Sequence, residues 1–176
     1  MTKDIEVLLK VAYEMQKKIK ENDISFLFLG SGAQKNKLES QAKQMGLRNT
    51  VFLASVPKAD VLKYWGVLDL AVIHLKKKKL FETVIPSKIF ECMAMGVPIV
   101  HGVMGESAEM VKSLGVGICV EPENVDEILE TILYLRENPD LMKELSRKGP
   151  IAAVKFDRKK LAMTMLSKLE GICGTI

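Results

Sequence analysis

Aromatic residues are scarce in this 176-residue chain: 6%, with a single tryptophan. It therefore lacks the stacking platforms on which single-stranded nucleic acid binds. An excess of one charge sign is also lacking. Lysine and arginine number 26 against 22 aspartate and glutamate, a formal +4, whereas nucleic-acid binders concentrate a larger basic excess in a patch. No nucleic-acid partner is expected on either count. Cysteine occurs only at positions 92, 119 and 173, an odd number without metal-ligand spacing, which excludes a disulfide framework. Cys92 and Cys119 lie in apolar stretches and read as small core residues of a reduced, cytoplasmic protein. The two histidines, His74 and His101, have no cysteine or carboxylate cluster beside them, so no metal site is expected. No run of about 18 uncharged apolar residues occurs, so no helix is expected to cross a membrane. Met1-Thr2-Lys3-Asp4 leads into a charged helical pattern, so no signal peptide is expected.

What is present is a balanced globular composition, 48% apolar and 27% charged, at the length of one domain. Helical and strand periods alternate. Residues 3–21 carry apolar side chains at helical spacing, and Asn22-Asp23 breaks the pattern. Ile24 to Leu29 is an apolar run of strand length, the kind that is buried on both faces in a parallel sheet. A polar helix over 34–45 follows, closed by Gly46. The cycle repeats: strand at 51–53, helix at 58–65, strand at 70–75, helix at 88–95, strand at 98–101, helix at 106–114, strand at 117–120. Three helices follow, to about Asn138, over 139–148 and over 157–169. Asn124 and Glu127 have the spacing of a capping box. The ten methionines read as core filler. The expected fold class is α/β: a Rossmann-like parallel sheet of about five strands, with seven or eight helices on both faces. Ligands in such sheets bind beyond the carboxyl ends of the strands, here the loops 30–34, 54–57, 75–88 and 102–106.

Two of these loops carry candidate chemistry. Gly30-Ser31-Gly32 follows a strand and precedes a helix, where glycine lets the backbone approach a phosphate or sugar. It is not a dinucleotide fingerprint, because Lys35 stands where the third glycine belongs. A tight strand-to-helix turn explains it equally well. The segment from Phe81 to Pro98 says more. Pro86 sets the start of a helix and Ser87 is placed to cap it. The amides of Lys88, Ile89 and Phe90 are then first-turn donors, and Lys88 adds a charge. Glu91 lies one turn beyond Ser87 on the same face, suited to the two hydroxyls of a ribose. Pro86, Ser87, Lys88, Ile89 and Glu91 thus form a candidate nucleotide-diphosphate cradle. A capped helix with favourable charges is the plainer reading of the same residues.

The stretch Glu91-Cys92-Met93-Ala94-Met95-Gly96-Val97-Pro98 resembles the signature of glycosyltransferase family 4, or group 1, in which two glutamates separated by seven residues precede a Met-Ala-x-Gly-x-Pro run. Ile85 to Glu91 resembles the surface-polysaccharide subgroup. Phe28 to Gly32, Val51-Phe52-Leu53 with Val56-Pro57, Asp69 to Val72, Gly105 to Glu109 and Gly115-Val116-Gly117 match in family order. The resemblance implies the C-terminal, donor-binding half of a GT-B transferase over residues 1–176, as a single nucleotide-sugar-binding domain. It implies retaining transfer from a nucleotide-diphosphate sugar, with no obligatory cofactor or metal. By that resemblance Glu91 holds the ribose, while Ser87, Lys88 and Ile89 face the diphosphate. Gly30 and Gly32 border the donor cleft, and Val56 and Pro57 lie near the base. The first family glutamate falls at Thr83, with Glu82 one residue off; either Thr83 or Glu82 would meet the donor sugar beside Lys88 as the catalytic set. The family's domain opens with a strand and a glycine loop before its first helix, and carries an N-terminal acceptor domain. By comparison this chain starts at that helix.

Three functions follow from the resemblance. The first is transfer to a polysaccharide or lipid-linked acceptor, through a further domain or partner chain. The second is nucleotide-sugar binding without activity of the chain's own. The third is a GT-B nucleotide-sugar epimerase. The run Lys76 to Lys79 has two readings. It attracts a diphosphate or an anionic membrane surface, which would put a cytoplasmic protein at the inner face of the membrane by peripheral association, or it is a solvated loop.

Overall fold

In the computed structural model, residues 5–19 and 23–173 are described. The first helix, α1, spans Ile5–Lys18; the remaining expected helical positions 3, 4, 20 and 21, and Asn22 of the break, lie outside the described residues, as do Met1 and Thr2. Strands and helices then alternate: β1 (Phe26–Leu29), α2 (Lys35–Gln44), β2 (Thr50–Leu53), α3 (Lys58–Trp65), β3 (Ala71–His74), α4 (Lys88–Met95), β4 (Ile99–Gly102), α5 (Glu106–Leu114) and β5 (Gly117–Cys119). Three helices close the chain: α6 (Val125–Glu137), α7 (Pro139–Ala153) and α8 (Arg158–Cys173). Every paired strand is parallel, with Phe26 opposite Thr50, Ala71 opposite Ile99 and Ile99 opposite Gly117. The α/β class and the layering follow the sequence pattern.

The continuity of the sheet does not. The strands form two sheets, β1-β2 and β3-β4-β5. No described residue pairs with β1 and β3 from the side on which they face each other. The reason lies in the run Ile24 to Leu29, which forms a strand but has a partner on one edge only.

β4 is buried at all four positions, and its alternation divides the core in two. Ile99 joins Ile73, Ile89, Met93 and Val111 on the side of α3, α4 and α5. Val100 joins Val11, Met15, Ile128 and Leu135 on the side of α1 and α6. Ten methionines do not all fill these cores: Met15 and Met93 are buried, whereas Met95, Met104, Met163 and Met165 are exposed. The last two belong to α8, which contributes to neither core.

Glycines end the helices where expected. Gly46 and Gly96 take φ 65° and 66°, the left-handed cap that residues with a Cβ adopt at a cost. Gly149-Pro150 does not end α7, which runs on to Ala153. Gly149 is there for close packing. A Cβ on it would stand 2.8 Å from the Met93 carbonyl of α4, and Ser146 Oγ donates to the Gly96 carbonyl at 2.6 Å across the same contact. Tertiary packing of α7 on α4 outweighs the proline's local penalty. The Asn124 cap forms, accepting from the Glu127 amide at 3.1 Å. The Glu127 carboxylate takes the Glu121 amide at 2.9 Å, beside a contact from the Asn124 side-chain amide at 3.3 Å.

Candidate functional site

A cavity of about 960 Å³ runs between β1 and β3. At its carboxyl end it is bounded by Gly30, Ser31, Gly32 and Lys35 on one side and by Pro86, Ser87 and Lys88 on the other. The fold thus brings together the glycine loop and the start of α4, which lie more than fifty residues apart in sequence. An added Cβ on Gly30 or Gly32 would meet nothing within 4 Å, so the loop backbone is open to a ligand.

The first turn of α4 differs from the sequence reading in three ways. Ser87 occupies the N-cap position but has helical dihedrals and makes no side-chain cap bond. The Ile89 amide donates to the Pro86 carbonyl at 3.0 Å and the Phe90 amide to the Ser87 carbonyl at 3.1 Å. This 3₁₀-like tightening consumes two of the three expected donors. The amides left without a partner among the described residues are those of Ser87 and Lys88. Ile89 itself is fully buried in the α4 core, so it holds the turn from behind and does not face the cavity. Lys88 Nζ stands 5.7 Å from the centroid of the Trp65 ring, within cation–π range.

The other expected site residues lie elsewhere. Val56 and Pro57 follow β2, one strand farther from β3 than the glycine loop, and do not line the cavity. Glu91 is exposed and is outside the cavity wall. Glu82 and Thr83 are both exposed; the Thr83 hydroxyl makes a long contact to the Leu80 carbonyl, 3.4 Å. No described geometry favours one of them over the other as a sugar ligand.

Sequence reasoning missed Lys35 and Trp65. Lys35 borders the cavity and pairs with Glu39 at 3.6 Å. Its signal was the broken glycine fingerprint: the side chain that spoils a dinucleotide turn brings a cation to the same loop. Trp65 lies on α3, distant in sequence from both loops, and had no local signal.

Of the two histidines, His74 lines the cavity at the end of β3 and His101 does not. His101 is fully buried, and its Nε2 lies 2.9 Å from Ser107 Oγ. Burial lowers its pKa from 6.5 to about 4, because desolvation disfavours the imidazolium. His74 Nε2 accepts the Glu123 amide at 2.8 Å. Cys92 is a core thiol pushed up to about 12 by burial, and burial also raises Cys119; the side chain of Cys173 lies outside the described residues. Within the lysine run, Lys77 pairs with Glu121, which raises its pKa, and its amide donates to Glu123 Oε2 at 2.8 Å. That lysine ties the loop after β3 to the loop before α6. Among the described residues, no three of His, Cys, Asp and Glu cluster as metal ligands, and no helix is long and apolar enough to cross a membrane.

A parallel α/β domain with a glycine loop and a helix start facing each other across the strand ends defines a Rossmann-like binding domain. Residues 1–151 match the family model described as glycosyl transferases group 1, and the chain belongs to that family. It is 30% identical over 129 residues to WcaI of Escherichia coli (strain K12), which is named for colanic acid biosynthesis; the match covers 70% of this chain and 31% of that protein. It is 31% identical over 129 residues to the uncharacterized glycosyltransferase MJ1607 of Methanocaldococcus jannaschii, over 72% of this chain and 30% of that one. The chain thus spans about a third of the length of these relatives. In fold it is similar to Anabaena HepE, solved with UDP-glucose: TM-score 0.79 at 19% identity, covering 96% of this chain and 45% of that one. It is equally similar to S. aureus TarM, solved as a G117R mutant with UDP and glycans: TM-score 0.79 at 22% identity, covering 95% and 33%. The GT-B-type Rossmann fold is therefore common to all three.

Proposed function

We propose that this chain is the donor-binding unit of a glycosyltransferase and binds a nucleoside-diphosphate sugar at the carboxyl end of the cavity. One observation carries the reading: the free amides of Ser87 and Lys88 and the Lys88 side chain share a cavity mouth with the open backbone of Gly30 and Gly32. A diphosphate bound there gains from the α4 dipole and from two backbone donors. In transfer, the same groups stabilise charge developing on the leaving diphosphate. Uridine is the base we assign, since HepE and TarM were solved with UDP or UDP-glucose. Glu91 holds the ribose, and Thr83 or Glu82 meets the sugar. The donor is a hexose, transfer retains configuration, and the acceptor is a polysaccharide or lipid-linked glycan met at the cytoplasmic face of a membrane. Val56 and Pro57 approach the base only if the loop after β2 folds over the mouth.

Calorimetry with UDP, GDP and UDP-glucose tests this. UDP is expected to bind, and Glu91→Ala to weaken it roughly tenfold to a hundredfold, the effect of losing a charge-assisted hydrogen bond. Binding of none of the three nucleotides overturns the reading, and unchanged affinity in Glu91→Ala removes the ribose role.

A second reading is nucleotide-sugar binding without turnover by the chain alone. Release of UDP from UDP-glucose with a glycan acceptor, catalysed by the purified chain, excludes it.

A further inference from the structure

The segment between β3 and α4 has an anchor outside itself. Phe81 and Val84 pack against the core on the side of α4. The Glu82 and Val84 amides turn back on the Lys79 and Phe81 carbonyls, at 3.2 Å each. The Glu82 carbonyl is bonded from elsewhere: it accepts the Glu106 amide at 3.0 Å. Glu106 is the first residue of α5. Where the Glu82-Thr83 peptide lies is therefore set by where α5 begins. Standard bond lengths then keep the Cα atoms of Thr83 and Glu106 within about 7 Å of each other.

The local sequence does not fix that beginning. The N-cap is Gly105, at φ 80° and with no side chain to cap the helix, and glycine leaves the entry direction open. The first turn is held from the sheet instead. Ser107, the second residue of α5, is fully buried, and its Oγ lies 2.9 Å from Nε2 of the equally buried His101 in β4. Cys119 of β5 adds a weaker thiol contact to the Ala108 carbonyl at 3.5 Å. The Ser107–His101 pair is a costly way to fill a core. His101 Nδ1 is buried with no hydrogen-bond partner among the described residues, so Ser107 is the one partner of the imidazole there. An apolar pair of the same shape would avoid that penalty. What the polar pair has and an apolar pair lacks is direction. It is a bond of set length and angle between β4 and the residue that follows Glu106.

We propose that Ser107, held by His101, is a positioning residue for the donor sugar. It fixes the first turn of α5, the Glu106 amide then holds the Glu82 carbonyl, and the side chains of Glu82 and Thr83 are thereby presented to the sugar. This rests on the function proposed above, in which one of those two side chains meets the sugar. The diphosphate cradle at Gly30, Gly32, Ser87 and Lys88 has no part in this series of contacts. Loss of the Ser107–His101 bond therefore weakens recognition of the sugar and spares recognition of the nucleotide.

Two measurements on the full chain test it. The first is calorimetry with UDP, UDP-glucose, UDP-galactose and UDP-N-acetylglucosamine, each sugar nucleotide being compared with UDP. In Ser107→Ala the preference for the best sugar nucleotide over UDP is expected to fall about threefold to tenfold, the effect of one neutral hydrogen bond. UDP affinity itself is expected to stay within about twofold of wild type, inside the range that such a bond would move. His101→Leu is expected to act like Ser107→Ala. His101→Gln keeps a side-chain N–H near the place of Nε2 and is expected to retain most of the preference. The second measurement is hydrogen exchange without ligand. In Ser107→Ala the Glu106 amide is expected to exchange roughly tenfold faster, as a bond that opens locally does. The Ile99 amide, bonded to the Val116 carbonyl in the sheet, is expected to keep its wild-type rate. Unchanged exchange at Glu106 overturns the proposal whatever happens to binding. Faster exchange at both amides, or equal losses for UDP and the sugar nucleotides, overturns it by showing a support of the fold alone. Equal losses in His101→Gln and His101→Leu overturn it by assigning the effect to the volume of the imidazole. A wild type that binds no sugar nucleotide better than UDP overturns it too. A wild type that binds none of the four removes the nucleotide reading and the sugar role with it; the exchange rates then report separately whether Ser107 governs the Glu106 contact.

Discussion

The amide of Glu106 donates to the carbonyl of Glu82 at 3.0 Å. This bond ties the start of α5 to the loop that leads into α4, and so holds the backbone beside Thr83 although both side chains there are exposed. Gly105 makes the approach feasible: its φ is 80°, and a Cβ would collide with the Glu82 carbonyl.

Gly105→Ala therefore meets two obstacles at once, a left-handed dihedral and a backbone collision. The expected loss is about 2–4 kcal/mol of stability, the sum of modest strain and overpacking terms. Urea denaturation measures it. A midpoint within error of wild type would show that the loop yields freely.

The cradle predicts a charge-specific effect. Lys88→Met is expected to reduce UDP affinity tenfold or more and to leave uridine binding unchanged, because the role proposed for the lysine is on the diphosphate. Lys35→Met is expected to act in the same direction but more weakly, since Glu39 shares its charge. Raising salt should shrink the UDP difference between wild type and variants. Equal losses for UDP and uridine would mean that the lysine supports the fold instead.

His101 predicts the acid limb of stability. Its pKa is about 4 in the fold and near 6.5 when unfolded. Between these values the unfolded chain binds the proton and the folded chain does not, so stability falls as pH falls from about 6.5 to 4. The loss reaches roughly 3 kcal/mol at the lower limit. Above pH 6.5 both states are neutral at this site and it adds no slope. His101→Gln should flatten stability across that interval whatever its effect at pH 7. Persistence of the full slope in the variant would assign it to other groups.

Cys92 is fully buried, with its thiol pushed up to about 12. The thiolate is the reactive form. Alkylation by iodoacetamide at pH 7.5, followed at the Cys92 peptide by mass spectrometry, should proceed only through unfolding and speed up with urea in step with the unfolded fraction. Rapid labelling of the native protein would place the thiol at a breathing surface.

The order of elements was legible because each rests on neighbours in the chain. Apolar runs between turn residues located all five strands to within a residue or two, and Gly46 and Gly96 stopped their helices as expected. The helix expected over 139–148 runs on through Gly149 and Pro150 to Ala153, because Gly149 packs against Met93 on another helix. At the site, the glycine loop and the start of α4 were legible as turns at strand ends, and both border the cavity. The donors of Ile89 and Phe90 were not, since whether a first turn tightens onto Pro86 and Ser87 is a matter of backbone geometry, not residue type. Lys35 appeared in the sequence as a defect in a motif and in the fold as a second cation at the cavity.

The sequence alone determined the family, the α/β alternation and the two loops that border the cavity's carboxyl end, because periodicity, caps and motifs are local. Only the tertiary structure decided that the scarce tryptophan sits beneath Lys88, that His101 is a buried base and that the strands stop short of forming one sheet. Those outcomes depend on which surfaces remain uncovered once every element has packed. A strand edge without a partner leaves no mark in the residues that form it.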